Sequence, residues 1–191
     1  MKFVSPTVLL GLPLLLSGCG QKPPLAPAPA PAPPRVAPGP PATPGWPATN
    51  AQPRLATLKL LIGNQVITAE LCRRPVEVMT GMMFRTNMAE EEGMLFALPR
   101  PQQASFYMRN TLVPLTLAYI NAEGRILELH DLEPRNETPV RSSNFNIQYV
   151  LEMKQGWFAR HGVVPGATIV TEQGLLKDTV KFIGPEEDQE Q

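Results

Sequence analysis

Arg109-Asn110-Thr111 is a polar tripeptide set between two stretches of core-type sequence, within S-F-Y-M-R-N-T-L-V-P-L-T-L-A-Y-I-N from Ser105 to Asn121. A guanidinium and an amide between apolar runs need partners, because burying such groups unpaired costs several kcal/mol. Two readings fit. In the first they form a ligand site: arginine presents a rigid fork that matches carboxylate, phosphate or sugar-acid groups, and Asn110 orients a polar ligand. Arg85 offers a second fork, Thr116 a hydroxyl, and Tyr107 and Trp157 offer faces to flank a sugar. In the second they are scaffold: Arg109 or Arg85 pairs with Glu152 or Glu128, Asn110 caps a turn, and the aromatic residues pack.

Acid–base and nucleophilic chemistry has thinner support. His161 stands between Arg160 and Gly162 with no Asp-Ser or Cys partner in its neighbourhood, which suits a capping residue better than a catalytic one. Cys72, in A-E-L-C-R-R, falls at the end of an alternating strand and reads as a small buried hydrophobe. Met79 and Met83 read as core filler, and Glu90-Glu91-Glu92 as a solvated acidic turn. No Gly-rich phosphate loop, zinc spacing or nucleophile elbow is present, so neither a metal nor a cofactor is expected.

The elements that must position these residues are short strands. Leu55 to Ile62 and Val66 to Leu71 alternate and meet at Gly63-Asn64, a pair that tolerates positive φ and predicts a β-hairpin. Val76, Met79 and Met83 recur at helical spacing behind Pro75, predicting a short helix that ends near Gly81. Gly93 to Leu98 reads as a strand stopped by Pro99-Arg100-Pro101, Leu115 to Ile120 as a central strand, and Arg125 to Leu132 as half-buried, with His130 and Glu128 on its polar face. Glu133 to Asn146 reads as loop, Ile147 to Met153 as strand and Trp157 to His161 as a short helix. Pro165-Gly166 turns into a strand over Thr168 to Thr171, and Thr179 to Ile183 reads as a last edge strand. Many short strands with frequent turns predict a mainly β domain, a small barrel-like or rolled antiparallel sheet with one or two short helices. Long βαβ alternation is missing, which argues against a doubly wound nucleotide-binding fold.

The ends of the chain carry different information. Residues 1–18 read as a signal peptide, with Lys2 as its positive region and Val8 to Leu16 as an apolar run too short to span a bilayer. Leu16-Ser17-Gly18-Cys19 resembles the lipobox of bacterial lipoproteins, which implies lipidation of Cys19 and cleavage before it. Residues 19–53 hold more than half of the 23 prolines and read as an extended Pro/Ala-rich stalk, since proline fixes φ and cannot donate. That leaves one domain over 54–184 and an acidic tail over 185–191. Seventeen basic and seventeen acidic residues balance, so no field favours nucleic acid.

Four motifs then fall in order: Gly81-Met82-Met83-Phe84-Arg85, Gly93-Met94-Leu95-Phe96, Tyr107-Met108-Arg109-Asn110-Thr111, and Tyr149-Val150-Leu151-Glu152 with Gly156. Over about Leu58 to Thr171 the chain resembles the family called "domain of unknown function 192", which is compact, β-rich, often found behind a secretion signal, and without an established activity. The resemblance strengthens the fold expectation and implies no reaction. Tyr107 stands where the family usually has Trp, Arg109 where it often has Lys, and Thr116 where it usually has Asp. A threonine hydroxyl is no carboxylate base near neutral pH, which weakens catalysis through that position.

The sequence therefore predicts a lipid-anchored protein of the cell envelope, extracytoplasmic, with a polar site around Arg109 and Asn110. It would act as a ligand-binding or interaction module for a small polar or acidic ligand or an envelope protein. The alternative is a small hydrolase or transferase on envelope glycan or peptide material, using Arg85, Arg109 and His161.

Overall fold

Apolar alternation along the strands builds one sheet with a core on each face. The structure is a computed structural model and describes residues 48–185; the signal sequence, Cys19, most of the stalk and residues 186–191 of the tail lie outside the described residues. In chain order the elements are β1 (Thr57–Ile62), β2 (Gln65–Cys72), α1 (Pro75–Thr80), β3 (Glu92–Gln102), β4 (Ser105–Phe106), β5 (Leu115–Ile120), β6 (Ile126–Leu132), β7 (Val140–Arg141), β8 (Ile147–Lys154), α2 (Trp157–Arg160), β9 (Ile169–Thr171), β10 (Gly174–Leu175) and α3 (Leu176–Thr179). Eight strands form a sheet in the order β10-β9-β1-β2-β3-β8-β5-β6, and β4 pairs with β7 in a separate ribbon. The sheet is open, so the expected mainly β class holds as a rolled sheet and not as a closed barrel. It carries three short helices where one or two were expected.

The hairpin at Gly63-Asn64 forms as the turn chemistry requires, with Ile62 opposite Gln65. α1 starts at Pro75, and the Glu77 carboxylate accepts the backbone N–H groups of Arg73 and Arg74 at 2.8 and 2.9 Å, satisfying free donors at its start. That helix makes the crossover from β2 to β3, the one parallel pairing among the described strands, where an all-antiparallel sheet was expected.

Two further expectations are corrected. β3 does not stop at Pro99-Arg100-Pro101 but runs through it, because the β3–β8 register breaks between Ala97 and Gln102 and the prolines fall where the ladder asks for no N–H. Thr179 to Ile183 is not a strand: Leu176–Thr179 is helical, Leu176 and Val180 are buried, and β10 supplies the edge instead.

Residues of opposite parity divide the core. Ile67 and Ala69, Leu95 and Ala97, Ala118 and Ile120, and Tyr149, Leu151 and Met153 face α2 and α3 with Trp157, Phe158, Leu176 and Val180. Cys72, Met94 and Phe96, Leu115, Leu117 and Tyr119, and Val150 face the other way, under Met82, Met88, Ala104 and Met108 from the connecting segments. Gly93 shows how close the packing is, since a Cβ there would stand 2.8 Å from the Met153 sulfur.

Candidate functional site

The loops over the second face carry the candidate residues, and their backbone is held in uncommon conformations. Phe84 (φ 61°), Asn110 (φ 55°) and Arg135 (φ 62°) are the non-glycine residues at positive φ among those described, a region that costs L-residues energy and persists where surrounding bonds enforce it. Here the bonds are visible. Phe84 N–H donates to Asn110 O at 2.8 Å, Arg135 N–H to Thr111 O at 3.1 Å, and Met108 N–H to Asn136 O at 2.8 Å. Two separate segments, at Phe84 and at Arg135-Asn136, are thus stitched to Tyr107-Met108-Arg109-Asn110-Thr111 by three bonds. Met108, 2% exposed, anchors the middle of that loop in the core.

Arg109 consequently points out to solvent. Its Nε and Nη2 both reach Oε2 of Glu137, at 3.1 and 2.9 Å, and its guanidinium stands 5.9 Å from the centre of the Tyr107 ring. Side-chain exposure is 45% for Arg109 and 56% for Glu137, so the pair is a surface contact of small net strength. The hydrogen bond that Arg109 donates to Glu137, and then the charge of that carboxylate, raise the guanidinium above its ordinary pKa. Tyr107 and Leu112 are partly exposed on either side. The expected partners of Arg109 and Arg85, Glu152 and Glu128, are corrected to Glu137 and Glu70.

Arg85 lies in a different setting. Its Nη2 donates to Glu70 Oε2 at 3.0 Å and to Pro53 O at 3.3 Å. Glu70 also accepts Arg54 Nη1 at 2.6 Å and Leu55 N–H at 2.9 Å. With 12% exposure at Arg85 and 7% at Glu70, this is a nearly buried knot that fastens the incoming chain to β2, and Arg85 Nε is left buried without a partner. Gln52, at the end of the stretch read as stalk, is fastened too, donating to Gly81 O at 2.9 Å and Glu77 O at 3.3 Å. Arg85 and Asn110 are therefore neighbours through the Phe84–Asn110 bond, but their side chains serve different clusters.

Thr116 is on the first face, away from the Arg109 loop. Its hydroxyl donates to Asp131 Oδ1, its cross-strand neighbour, at 2.5 Å and accepts Gly156 N–H at 2.8 Å. It orders the turn into α2, where Gly156 sits at φ 76°. A carboxylate thus still stands at this position, contributed from β6 and not from β5. Trp157 and His161 also belong to the first face, with rings stacked edge-on at 4.5 Å and with Trp157 Nε1 and His161 Nδ1 buried and unpartnered. Trp157 therefore does not flank a ligand with Tyr107, and the fold does not assemble Arg109 and His161 into one catalytic cleft. Cys72 is buried, and burial, with the nearby Glu152 charge, pushes its thiol up. No cluster of three His, Cys, Asp or Glu side chains is placed for a metal among the described residues.

Glu128 anchors the 142–146 loop. Burial pushes its carboxyl up, but bonds from Asn144 Nδ2 (2.7 Å), Ser143 N–H (3.1 Å), His130 Nε2 (3.1 Å) and Asn144 N–H (3.0 Å) outweigh that and bring it to about 2. Glu152 is the opposite case. Fully buried on β8 with Oε2 unpartnered, it is pushed up to about 8 by desolvation.

A family model described as "Uncharacterized ACR" (DUF192, domain of unknown function 192) matches residues 58–171. Among solved structures, a candidate transcription regulator from Sinorhizobium meliloti 1021 is similar at 28% identity and a TM-score of 0.59, over 63% of this chain and 97% of that one. A protein of unknown function from Novosphingobium aromaticivorans DSM 12444 is similar at 33% identity and a TM-score of 0.57, over 60% of this chain and 85% of that one. No curated protein matches.

Proposed function

We propose, from the premise that the chain belongs to the domain of unknown function 192 family, that it is a binding module of the cell envelope, anchored through lipidated Cys19, which captures an acidic ligand at Arg109. The observation that carries this reading is the exposed guanidinium on a braced loop. Arg109 is presented by a turn held by three backbone hydrogen bonds to two neighbouring segments, and its sole ion-pair partner among the described residues is the similarly exposed Glu137. An incoming carboxylate or phosphate replaces Glu137 at small cost, because the exposed pair contributes little, and it gains a two-nitrogen contact with a preorganised fork. Tyr107 and Leu112 supply apolar contact beside the charge, and Asn110 follows Arg109 directly in the braced turn. The lipobox-like Leu16-Ser17-Gly18-Cys19 and the Pro/Ala-rich stalk support the anchored, extracytoplasmic placement.

The test is a thermal-shift panel of acidic sugars, peptidoglycan fragments and nucleotides on the full chain in detergent, beside Arg109→Ala. An acidic ligand should raise the melting temperature of the wild-type chain and bind the variant at least about tenfold more weakly, the loss expected for a charged hydrogen bond. The variant itself should melt as the parent does. A panel without an acidic hit, or a hit that Arg109→Ala keeps, overturns the proposal. For the anchor, Cys19→Ser should move the protein from the membrane fraction to the soluble one.

A further inference from the structure

Glu152 stands in the middle of the sheet with no partner. The residue is 5% exposed, its Oε2 is buried, and no donor among the described residues reaches that oxygen. Buried polar groups are normally satisfied, so an orphan on a central strand calls for a reason. Register locates it. Glu152 lies opposite Met94 of β3 and Leu117 of β5. Leu115, paired with Lys154, is where the Tyr107–Pro114 segment enters the sheet, and Glu152 is two residues further in on the same face. Met94 and Leu117 pack in one cluster with Met82 and Met108, which belong to the two segments joined by the Phe84–Asn110 hydrogen bond. A carboxyl with an unpartnered oxygen thus shares its face of the sheet with the thioethers of Met82, Met94 and Met108 and the Cys72 thiol, in the cluster that both loops cover.

We propose that Glu152 is the polar end of a binding site for a small organic amine, entered by displacement of the methionine side chains under the Phe84–Asn110 junction. An ammonium gives the unpartnered oxygen a donor hydrogen and brings a positive charge that draws the group into its ionised form. The surroundings select an alkyl-bearing cation over a hydrated inorganic one. Phe96, Val150 and Tyr119 form the next row along the face, with Phe106 edge-on to Phe96 at 5.1 Å. The Tyr119 hydroxyl is committed to Val140 O at 2.6 Å and its ring packs edge-on against Phe106 and His130 at 6.3 and 5.6 Å, so this row adds aromatic wall and no competing donor. Unbranched thioethers repack readily around a guest. A small cavity bordered by Glu70, Met82, Arg85 and Met88 already opens beside this spot, and in the row Glu70–Met94–Glu152 only Met94 separates its wall from the carboxyl. Glu70 does not compete for the amine, because both of its oxygens are engaged by Arg54, Leu55 and Arg85.

The experiment adds n-butylammonium chloride, or n-butanol as its uncharged counterpart, to the full chain labelled at the methionine methyl and glutamate carboxyl carbons, and follows both by NMR at neutral pH. Saturable shifts are expected at Met82, Met94 and Met108, with the Glu152 carboxyl carbon moving to its ionised position, and with n-butanol bound about tenfold weaker or less. Glu152→Gln keeps the shape of the uncharged acid, should fold, and should lose the preference for the amine. The proposal is overturned if the methyl signals do not saturate, if amine and alcohol bind alike, or if Glu152→Gln keeps the preference. Arg109→Ala should leave amine binding intact, so this test and the acidic-ligand test fail independently.

Discussion

The two faces of the sheet are built by opposite rules. The first is closed by helices, with Trp157, Phe158, Leu176 and Val180 laid over aliphatic strand residues, and its buried hydroxyl, Thr116, is bonded on both sides. The second is closed by connecting segments, holds four methionines and Cys72, and carries the positive-φ residues Phe84 and Asn110; each face keeps orphaned polar atoms, ring nitrogens of Trp157 and His161 on the first, Glu152 Oε2 and Arg85 Nε on the second. The difference teaches where the chain's freedom lies. A helix-covered aliphatic face defines a single packing, whereas a loop-covered, sulfur-rich face tolerates rearrangement, and sites are drawn from such regions.

That contrast can be broken in order of size. Phe158→Ala empties a site 1% exposed on the first face and should destabilise the protein by about 4 kcal/mol in urea unfolding. A comparable loss from Met94→Leu, for which a volume-conserving change predicts under about 1.5 kcal/mol, would show the second face to be just as rigid. Glu70→Leu leaves Arg85 nearly buried without its carboxylate, and about 3 kcal/mol should be lost, toward the low end for a broken buried pair because Arg54 is exposed. A loss near zero would mean that the knot at β2 adds nothing.

The pH dependence sharpens the comparison. Glu152 is raised from 4.5 to about 8 in the folded chain, so between those values the folded state holds a proton that the unfolded state has released. Its contribution to stability is complete below the unfolded pKa and is lost as pH rises toward about 8. From pH 6 to 7 the loss should be roughly 1 kcal/mol, and Glu152→Gln should abolish that slope. Glu128, lowered to about 2, runs the other way: it stabilises above its unfolded pKa and is lost as pH falls toward 2. A wild-type slope between pH 6 and 7 that Glu152→Gln leaves unchanged would mean that Glu152 is already ionised.

Local signals were legible in the sequence and partners were not. Gly63-Asn64 and Pro75 carry their turn and helix start in their own backbone preferences, and Leu115 to Ile120 declares burial by composition. Pro99 and Pro101 misled because a proline ends a strand only where the ladder needs its N–H, and a register break is set by the neighbouring strand. Thr179 to Ile183 misled because a short apolar run packs equally well as a single helical turn. Arg109 was found from its setting, but Glu137 lies 28 residues away in a polar loop that no periodicity links to it. Glu152 stands within the Y-V-L-E motif, and an acid inside an otherwise apolar strand is the signal that marks it.

One further property follows from where the described chain begins and ends. Gln52 is fastened to the carbonyls of Glu77 and Gly81, and Ile183 donates its N–H to Arg73 O at 2.8 Å. Entry and exit are therefore both tied to the α1 segment, Gln52 at its C-terminal turn and Ile183 just before its start, a layout that suits circular permutation. A short splice between the two ends, with new termini opened at Gly63-Asn64, should yield a protein that still folds. The same layout makes the domain a cassette: inserted into a surface loop of a host protein, it would leave the host's two loop ends side by side.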